Sequence, residues 1–284
     1  MRADRTRPGN RAGVMRDTDQ PREALSPADM QVLAPFPLAA WPARDPAASL
    51  DGEDALLPDR CLALLDGLGP RLLSDRRAIT ASLLAKRWAF VATAAPLAAM
   101  SVLDRGLDLR LGNCVIETTH DGVWRSRLVL RQLAASHAPR TGRVAWREAL
   151  VTDLFAGHLT KLWRVLAQVS GIAPRILWEN TAVRVYSLYE KRLLHSHVSP
   201  AVRRRIAEDF AYLVADASPD VFGLDHNPLA RYFHAPTPVP GDAPQRFRKT
   251  CCLYYAASAP VAYCDGCPLL RPGRRGRGAG PARP

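Results

Sequence analysis

Cys251-Cys252, followed by Cys264 and Cys267, place four of the chain's six cysteines within seventeen residues. Thiolates are soft ligands that select zinc, copper(I) or iron–sulfur clusters, and four of them fill either a tetrahedral zinc site or a 2Fe–2S cluster. The second half of the spacing, Cys264-Asp265-Gly266-Cys267-Pro268, reads as a metal-loop turn. Two intervening residues, one a glycine, let both sulfurs converge, and the proline stiffens the exit. The first half separates the readings. Adjacent side chains in an extended segment point to opposite faces, so Cys251 and Cys252 converge only where the backbone turns. One zinc ion would need both sulfurs about 2.3 Å from a single point, closing a small strained ring. A two-iron cluster is wider and accepts the pair on different atoms. Adjacency therefore favours a cluster. Zinc stays open, as does a redox-cycling Cys264–Cys267 dithiol, although the dithiol leaves Cys251 and Cys252 unexplained.

The elements that must position these thiols are mostly helical. The stretch Asp54 to Leu73 has helical character up to the Gly67-Leu68-Gly69-Pro70 turn signal. "SDRRAITASLLAKRWAFV" then opens a helix that Ser74 can cap. Its apolar continuation, Trp88 to Leu103, is sixteen residues long and contains Pro96. That is short of the roughly 18–20 residues a membrane span needs, so it predicts a buried helix kinked near Pro96. "LRLGNCVIET" and "VWRSRLVL", on either side of His120-Asp121-Gly122, alternate well enough to predict a hairpin near 109–130. From Arg143 the period returns to helical. One stripe carries Val151, Phe155, His158, Leu162, Val165 and Val169, a second Trp178, Ala182, Val185, Tyr189 and Leu193. Ser199-Pro200 opens a third helix with Ile206, Phe210 and Leu213 facing in. "APTPVPGDAPQ", Ala235–Gln245, reads as an extended Pro-rich linker that delivers the chain to the cysteines. The fold class expected is α+β, mostly helical, with one β-hairpin or small antiparallel sheet and a C-terminal cysteine-bearing segment.

Composition narrows the function classes. The formal charge is +12 over 284 residues, yet most of the excess lies at the ends: residues 1–22 hold six Arg against three Asp, and 268–284 hold five Arg and no acid. The body is only mildly basic, so the charge by itself does not announce a nucleic-acid partner. The Arg-rich start has no apolar run behind it and does not read as a secretory signal. A reducing compartment follows, where clustered cysteines serve more often as metal or redox groups than as structural disulfides. Peripheral contact with the inner face of a membrane through the Arg-rich ends is left as an expectation without a specific signal. No phosphate loop, dinucleotide fingerprint or Ser/His/Asp arrangement is present, so a nicotinamide or flavin site in this chain is not expected.

The ending "RFRKTCCLYYAASAPVAYCDGCPL" resembles the C-terminal cluster motif of the FhuF-type ferric-siderophore reductases, a Cys pair followed by a spaced Cys-x2-Cys. Upstream, "ILWENTAVRVYSLYEKRL" and "LLAKRWAFVATAAPLAAMSVL" are similar to that family's helical segments. The resemblance covers roughly residues 60 to 270, with the cysteine motif its specific part. One residue separates the spacings: the family usually has ten residues between the pair and the third cysteine, and this chain has eleven. The resemblance implies a cytoplasmic one-electron reductase in which Cys251, Cys252, Cys264 and Cys267 hold a 2Fe–2S cluster. Its substrate would be a ferric siderophore, and its donor a ferredoxin or an NAD(P)H-dependent reductase.

Domain organisation follows as a disordered extension over 1–28, a helical domain over 29–245, a cluster-binding segment over 246–270 and a disordered Arg/Gly-rich tail over 271–284. Arg246, Arg248 and Lys249, just before the Cys pair, are candidates for tuning the cluster's potential, since nearby positive charge favours the more negative reduced state. A solvated basic strand is the plainer reading. His226, Arg231 and His234 are candidates for a chelate pocket. Asn180 is a candidate partner of a loop or of the cluster segment, His158 a satisfied core histidine and Cys61 a buried small hydrophobe, while Cys114, in the hairpin, has no nearby partner in the sequence. His195-x-His197 sits at a helix end, where histidines lie comfortably near the last carbonyls. Two other readings stay open: a zinc-stapled module whose basic tail binds nucleic acid, and a siderophore-binding or biosynthetic protein that does not reduce.

Overall fold

The structure, a computed structural model, describes residues 21–272. The elements run β1 (Glu23–Ala24), α1 (Pro27–Leu33), β2 (Leu38–Ala40), β3 (Ser49–Asp51), α2 (Pro58–Leu68), α3 (Arg77–Ala98), β4 (Arg105–Leu107), β5 (Cys114–Glu117), β6 (Leu128–Leu130) and β7 (Ala134–His137). After these come α4 (Arg143–Thr152), α5 (Thr160–Ser170), α6 (Pro174–Leu188), α7 (Pro200–Ala211), α8 (Pro228–Tyr232), β8 (Thr237–Val239) and β9 (Asp242–Gln245). The fold is α+β and mostly helical, as expected.

The helical stripes point where their spacing says they should. Trp178, Ala182, Val185, Tyr189 and Leu193 are all buried, as are Val151, Phe155, His158 and Leu162, while Val165 and Val169 pack at the edge of the same core. The stretch read as one helix from Arg143 is α4 and α5 joined by a π turn over Asp153–Leu159. α5 ends where Gly171 adopts φ +70°, a conformation glycine takes without steric cost. α7 starts at the expected place: Ser199 accepts a hydrogen bond from the Val202 amide at 3.3 Å and Pro200 fills the first turn. α3 begins three residues after Ser74, because the Ser74 hydroxyl donates to the Arg76 carbonyl at 3.1 Å instead of capping.

α3 is nearly buried on all sides and packs along α6 with α2 and α5 beside it. Its Pro96 lies one turn from its end, where the chain widens into a π turn over Ala99–Leu103. Among the described residues no helix is long and apolar enough to cross a membrane. Trp88, Phe155, Trp163 and Phe222 fill the core with at most 1% exposure, each worth roughly 2–3 kcal/mol on burial. His158 sits among them. Its Nε2 accepts a hydrogen bond from the Trp88 indole at 3.0 Å, and its Nδ1 lies 3.0 Å from the Leu109 carbonyl. That pair of partners fixes the neutral tautomer with the proton on Nδ1.

The expected hairpin is present as β5 and β6, paired antiparallel with Cys114 opposite Leu130. It is the centre of a four-stranded sheet in the order β2-β6-β5-β3, and the β2–β6 pair is parallel, so the sheet is mixed rather than antiparallel throughout. A second sheet orders β1-β7-β4. β1 lies inside the extension expected to be disordered over 1–28. Its pairing with β7 and the reciprocal Ser26–Asp29 cap on α1 order the described part of that extension, while the rest, and all but Arg271 and Pro272 of the expected tail, lie outside the described residues. The segment read as an extended linker is instead a two-stranded hairpin. β8 and β9 turn through Gly241 at φ +75°, and the prolines at 236, 238, 240 and 244 are accommodated because both strands are edges exposed to solvent.

Candidate functional site

The cysteine segment is not an appendage. It lies along α3 and α6 and is tied to both by buried polar contacts. From α6, Glu179 and Asn180 point into the interior although both are polar; their relative exposures are 2% and 0%. The Glu179 carboxylate accepts the Lys249 and Thr250 amides, each at 2.6 Å, and the Thr250 hydroxyl. The Asn180 side-chain oxygen accepts from the Arg248 guanidinium at 2.7 Å, and its amide donates to the Ser82 carbonyl of α3 at 3.0 Å. Ser82 in turn donates to the Cys252 carbonyl at 2.8 Å. Arg248, itself buried, also donates to the Thr250 carbonyl and lies 3.8 Å from Glu179. The expectation that Asn180 holds the cysteine segment is therefore met through Arg248 and Ser82.

The turn required at the Cys pair follows it directly. Leu253 adopts φ +62°, which reverses the chain at a cost of roughly 1–2 kcal/mol for a residue with a Cβ, and its amide donates to Cys251 Sγ at 3.4 Å. At the other end the Cys267 amide closes on the Cys264 carbonyl at 2.9 Å, and the Arg248 amide donates to the Gly266 carbonyl at 2.8 Å. A Cβ on Gly266 would fall 2.9 Å from the Arg246 carbonyl oxygen, so the two passes of chain approach more closely than any side chain permits. Cys252 and Cys267 are buried; Cys251 and Cys264 are half-buried.

All four thiols are free, and Cys252 Sγ lies 3.4 Å from Cys264 Sγ. This is far beyond the roughly 2.05 Å of a disulfide. It is close to the separation of about 3.7 Å that two sulfurs have when each sits about 2.3 Å from one tetrahedral metal. Cys252 is pushed down toward the thiolate by the hydrogen bond with Cys264 and by the charges of Lys86 and Arg248, and Cys264 is pushed up by the same bond and by burial. Among the described residues no group of three or more His, Cys, Asp or Glu is placed to hold a metal ion; the structure brings Cys252 and Cys264 together, and the turn after the pair, the amide aimed at Cys251 and the nearby positive charge are of the chemistry that suits an anionic iron–sulfur cluster on these thiols.

The three cations expected beside the pair have different surroundings. Arg246 pairs with Glu190 through two bonds of 2.7 and 2.8 Å, which neutralises it. Lys249 reaches away to the Arg231 carbonyl at 2.5 Å. Arg248 stays buried against the thiols, where it is joined by Lys86 from α3 and Arg184 from α6. Sequence reasoning did not single out Lys86 or Arg184. Their signal is a helical one: Lys86 is one turn beyond Ser82 on α3, and Arg184 one turn beyond Asn180 on α6.

Two cavities open beside this segment. One, of about 690 Å³, is lined by Cys264, Asp265 and Gly266 together with Tyr263, Arg246, Arg184 and Lys86. The other, of about 960 Å³, lies against Phe90, Trp124, Tyr254 and a group of basic residues. The two share Lys86, Arg184, Ser187 and Tyr254. His226, Arg231 and His234 line neither cavity. His226 pairs with its neighbour Asp225 and lies 3.4 Å from the Arg231 guanidinium, while His234 places its two nitrogens 3.0 Å from the Ala235 and Phe247 carbonyls and so braces the approach to the cysteine segment.

Comparison with known families gives two matches. A family model described as ferric iron reductase FhuF-like transporter matches residues 82–235, and one described as FhuF 2Fe-2S C-terminal domain matches residues 248–269. The first begins at Ser82 and spans the helices that hold the cysteine segment; the second contains all four candidate thiols. No curated protein matches the chain.

Proposed function

Because the chain belongs to the FhuF-like ferric iron reductases and ends in that family's 2Fe–2S domain, we propose that it reduces Fe(III) held in a siderophore chelate and so releases Fe(II). Cys251, Cys252, Cys264 and Cys267 would hold the cluster. When bound, that group supplies one-electron chemistry without breaking a bond in the protein. Hard oxygen donors hold Fe(III) far more tightly than Fe(II), so a single electron is enough to loosen the chelate.

The observation that carries this reading is the 690 Å³ cavity with Cys264 in its wall. It brings a small-molecule site of ordinary size, about 300–1,000 Å³, directly against one of the candidate ligands. The chain's own residues do the positioning. Glu179, Asn180 and Ser82 fix the backbone on either side of the Cys pair. Arg248 and Lys86 supply positive charge toward thiolates, which favours the reduced, more negative state. A separate ferredoxin-like or NAD(P)H-dependent donor protein in the cytoplasm would restock the electron.

The test is Fe(II) release from a ferric siderophore under anaerobic reductant, followed with a ferrous-specific dye. The full chain is expected to exceed the rate of reductant alone, and a Cys264→Ser variant to fall back to it. A full-chain rate no greater than that of the reductant, with the chelate still bound, would make this a siderophore-binding protein without reductase activity.

A further inference from the structure

Cys251 and Cys264 are both half-buried, but of the two only Cys264 lines a cavity. The part of Cys251 that solvent reaches therefore lies outside both cavities, and its surroundings are basic. Lys249, two residues before it, has its amide held by Glu179 and donates from its ammonium to the Arg231 carbonyl at 2.5 Å. Arg231 belongs to α8, whose next residue, Tyr232, donates its hydroxyl to the Arg175 carbonyl in the first turn of α6 at 3.0 Å. Burial and Glu179 push the Tyr232 hydroxyl up, while the charges of Arg231, Arg175 and Arg248 pull against them. Lys249, Arg231 and Arg175 are thus neighbours around one side chain; all three are exposed, and none lines either cavity. Two acids adjoin them. Glu179 is buried and turns its oxygens to the Lys249 and Thr250 amides, and Asp225 is held by His226. Among the described residues no ion pair ties Lys249, Arg231 or Arg175 to either acid. Like charges gathered without counterions attract an anionic partner.

We propose that Lys249, Arg231 and Arg175 form the docking surface for a small acidic one-electron carrier protein, and this rests on the reductase reading above. A carrier has to bring its redox centre close to the thiols while leaving the cavity beside Cys264 free. The Cys251 side is the one place where a half-buried candidate ligand, an exposed basic patch and distance from both cavities coincide. Electron-transfer complexes are small and short-lived and draw their encounter rate and register from charge more than from apolar area, which suits three long cations on a surface. The carrier would meet the chain at Cys251 and the chelate at Cys264, so that neither blocks the other. One electron leaves the reduced carrier and the Fe(III) of the chelate is its final acceptor; no bond forms or breaks at the patch, and no proton or group is transferred there. Arg231, which lies away from the cavities, acquires a role in this arrangement.

Binding, read by calorimetry, tests the patch without relying on turnover. The full chain is titrated with oxidised plant-type ferredoxin, an acidic carrier, with cytochrome c, a basic one, and with phosphatidylglycerol vesicles. Ferredoxin is expected to bind, to lose about tenfold in affinity as salt rises from roughly 50 to 500 mM, and to lose about tenfold in an Arg175→Gln, Arg231→Gln double variant. An Arg175→Lys, Arg231→Lys variant, which keeps the charge, should bind as the unsubstituted chain does. Both side chains are exposed, so both variants should keep the melting temperature, and dithionite, which needs no docking, should reduce them as fast as the unsubstituted chain. No ferredoxin binding at low salt, cytochrome c bound as tightly as ferredoxin, or ferredoxin binding indifferent to the Gln variant would overturn the proposal. So would a Gln variant that loses the vesicles and keeps ferredoxin, since the patch would then serve a lipid surface. If ferredoxin docks as expected and no Fe(II) ever forms from a ferric siderophore, the docking surface stands and the reductase reading fails. If Fe(II) forms under dithionite while ferredoxin ignores the patch, the docking surface fails and the reductase reading stands.

Discussion

Arg248 is the charge on which the account of the site turns at the level of single residues. It is buried, donates to Asn180, lies 3.8 Å from the Glu179 carboxylate as against the closer two-bond pairing of Arg246, and acts through its charge on Cys252 and Cys264. Arg246, two positions earlier, is neutralised by Glu190. Arg248→Gln is therefore expected to lower the midpoint potential, by on the order of 100 mV for a charge a few ångströms away at an effective dielectric near 20, with Arg248→Lys restoring most of it. Arg246→Gln and Lys249→Gln should each shift it by much less. Protein-film voltammetry reads all four, and equal shifts for the three positions would deny Arg248 its special place. At this scale the sequence was legible where chemistry is written in residue type. The four cysteines, the role of Asn180 and the core position of His158 all follow from type and spacing. Lys86 and Arg184 do not, because a cation on a helix looks solvated until the packing of α3 on α6 shows what faces it.

Gly266 sets the limit on how closely the two passes of the cysteine segment approach, since a Cβ there would meet the Arg246 carbonyl oxygen at 2.9 Å. Gly266→Ala should cost about 1–3 kcal/mol locally and show itself as less iron and acid-labile sulfide retained through gel filtration, with the far-ultraviolet spectrum of the helices unchanged. Full retention would mean that the Arg246 carbonyl yields freely. The helices were readable as elements because their apolar stripes are long, but the strands were harder. β8 and β9 read as a linker because prolines argue against pairing, and they pair here only as exposed edges. β1, two residues long, is too short to carry any alternation, and exists because β7 offers it partners at Ala134 and Ala135, far along the chain.

The molecule as a whole rests on a core that includes a histidine held neutral. Burial pushes the His158 pKa down to about 4, while the unfolded chain takes up that proton near pH 6.5. Stability from this source is thus complete above about pH 6.5 and is lost as pH falls toward 4, to the extent of about 3 kcal/mol. Thermal melts from pH 7.5 to 4.5 should fall more steeply for the full chain than for a His158→Gln variant, and parallel curves would remove His158 from that account. The wider architecture brings α3, α6 and the cysteine segment to one face, where two cavities open that are lined by residues drawn from positions 71 to 266. No window of the sequence contains that assembly, so His226, Arg231 and His234 could be named from residue type although they line neither cavity.

The most direct test of the central claim is a single turnover. The protein is reduced with dithionite, freed of excess reductant under anaerobic conditions and mixed in a stopped-flow instrument with a ferric siderophore and a ferrous-specific dye. The account predicts that the visible absorption of the oxidised 2Fe–2S cluster returns at the rate the Fe(II) complex appears, with one Fe(II) formed per chain. A cluster that stays reduced in the presence of bound chelate, with no Fe(II) formed, would contradict it.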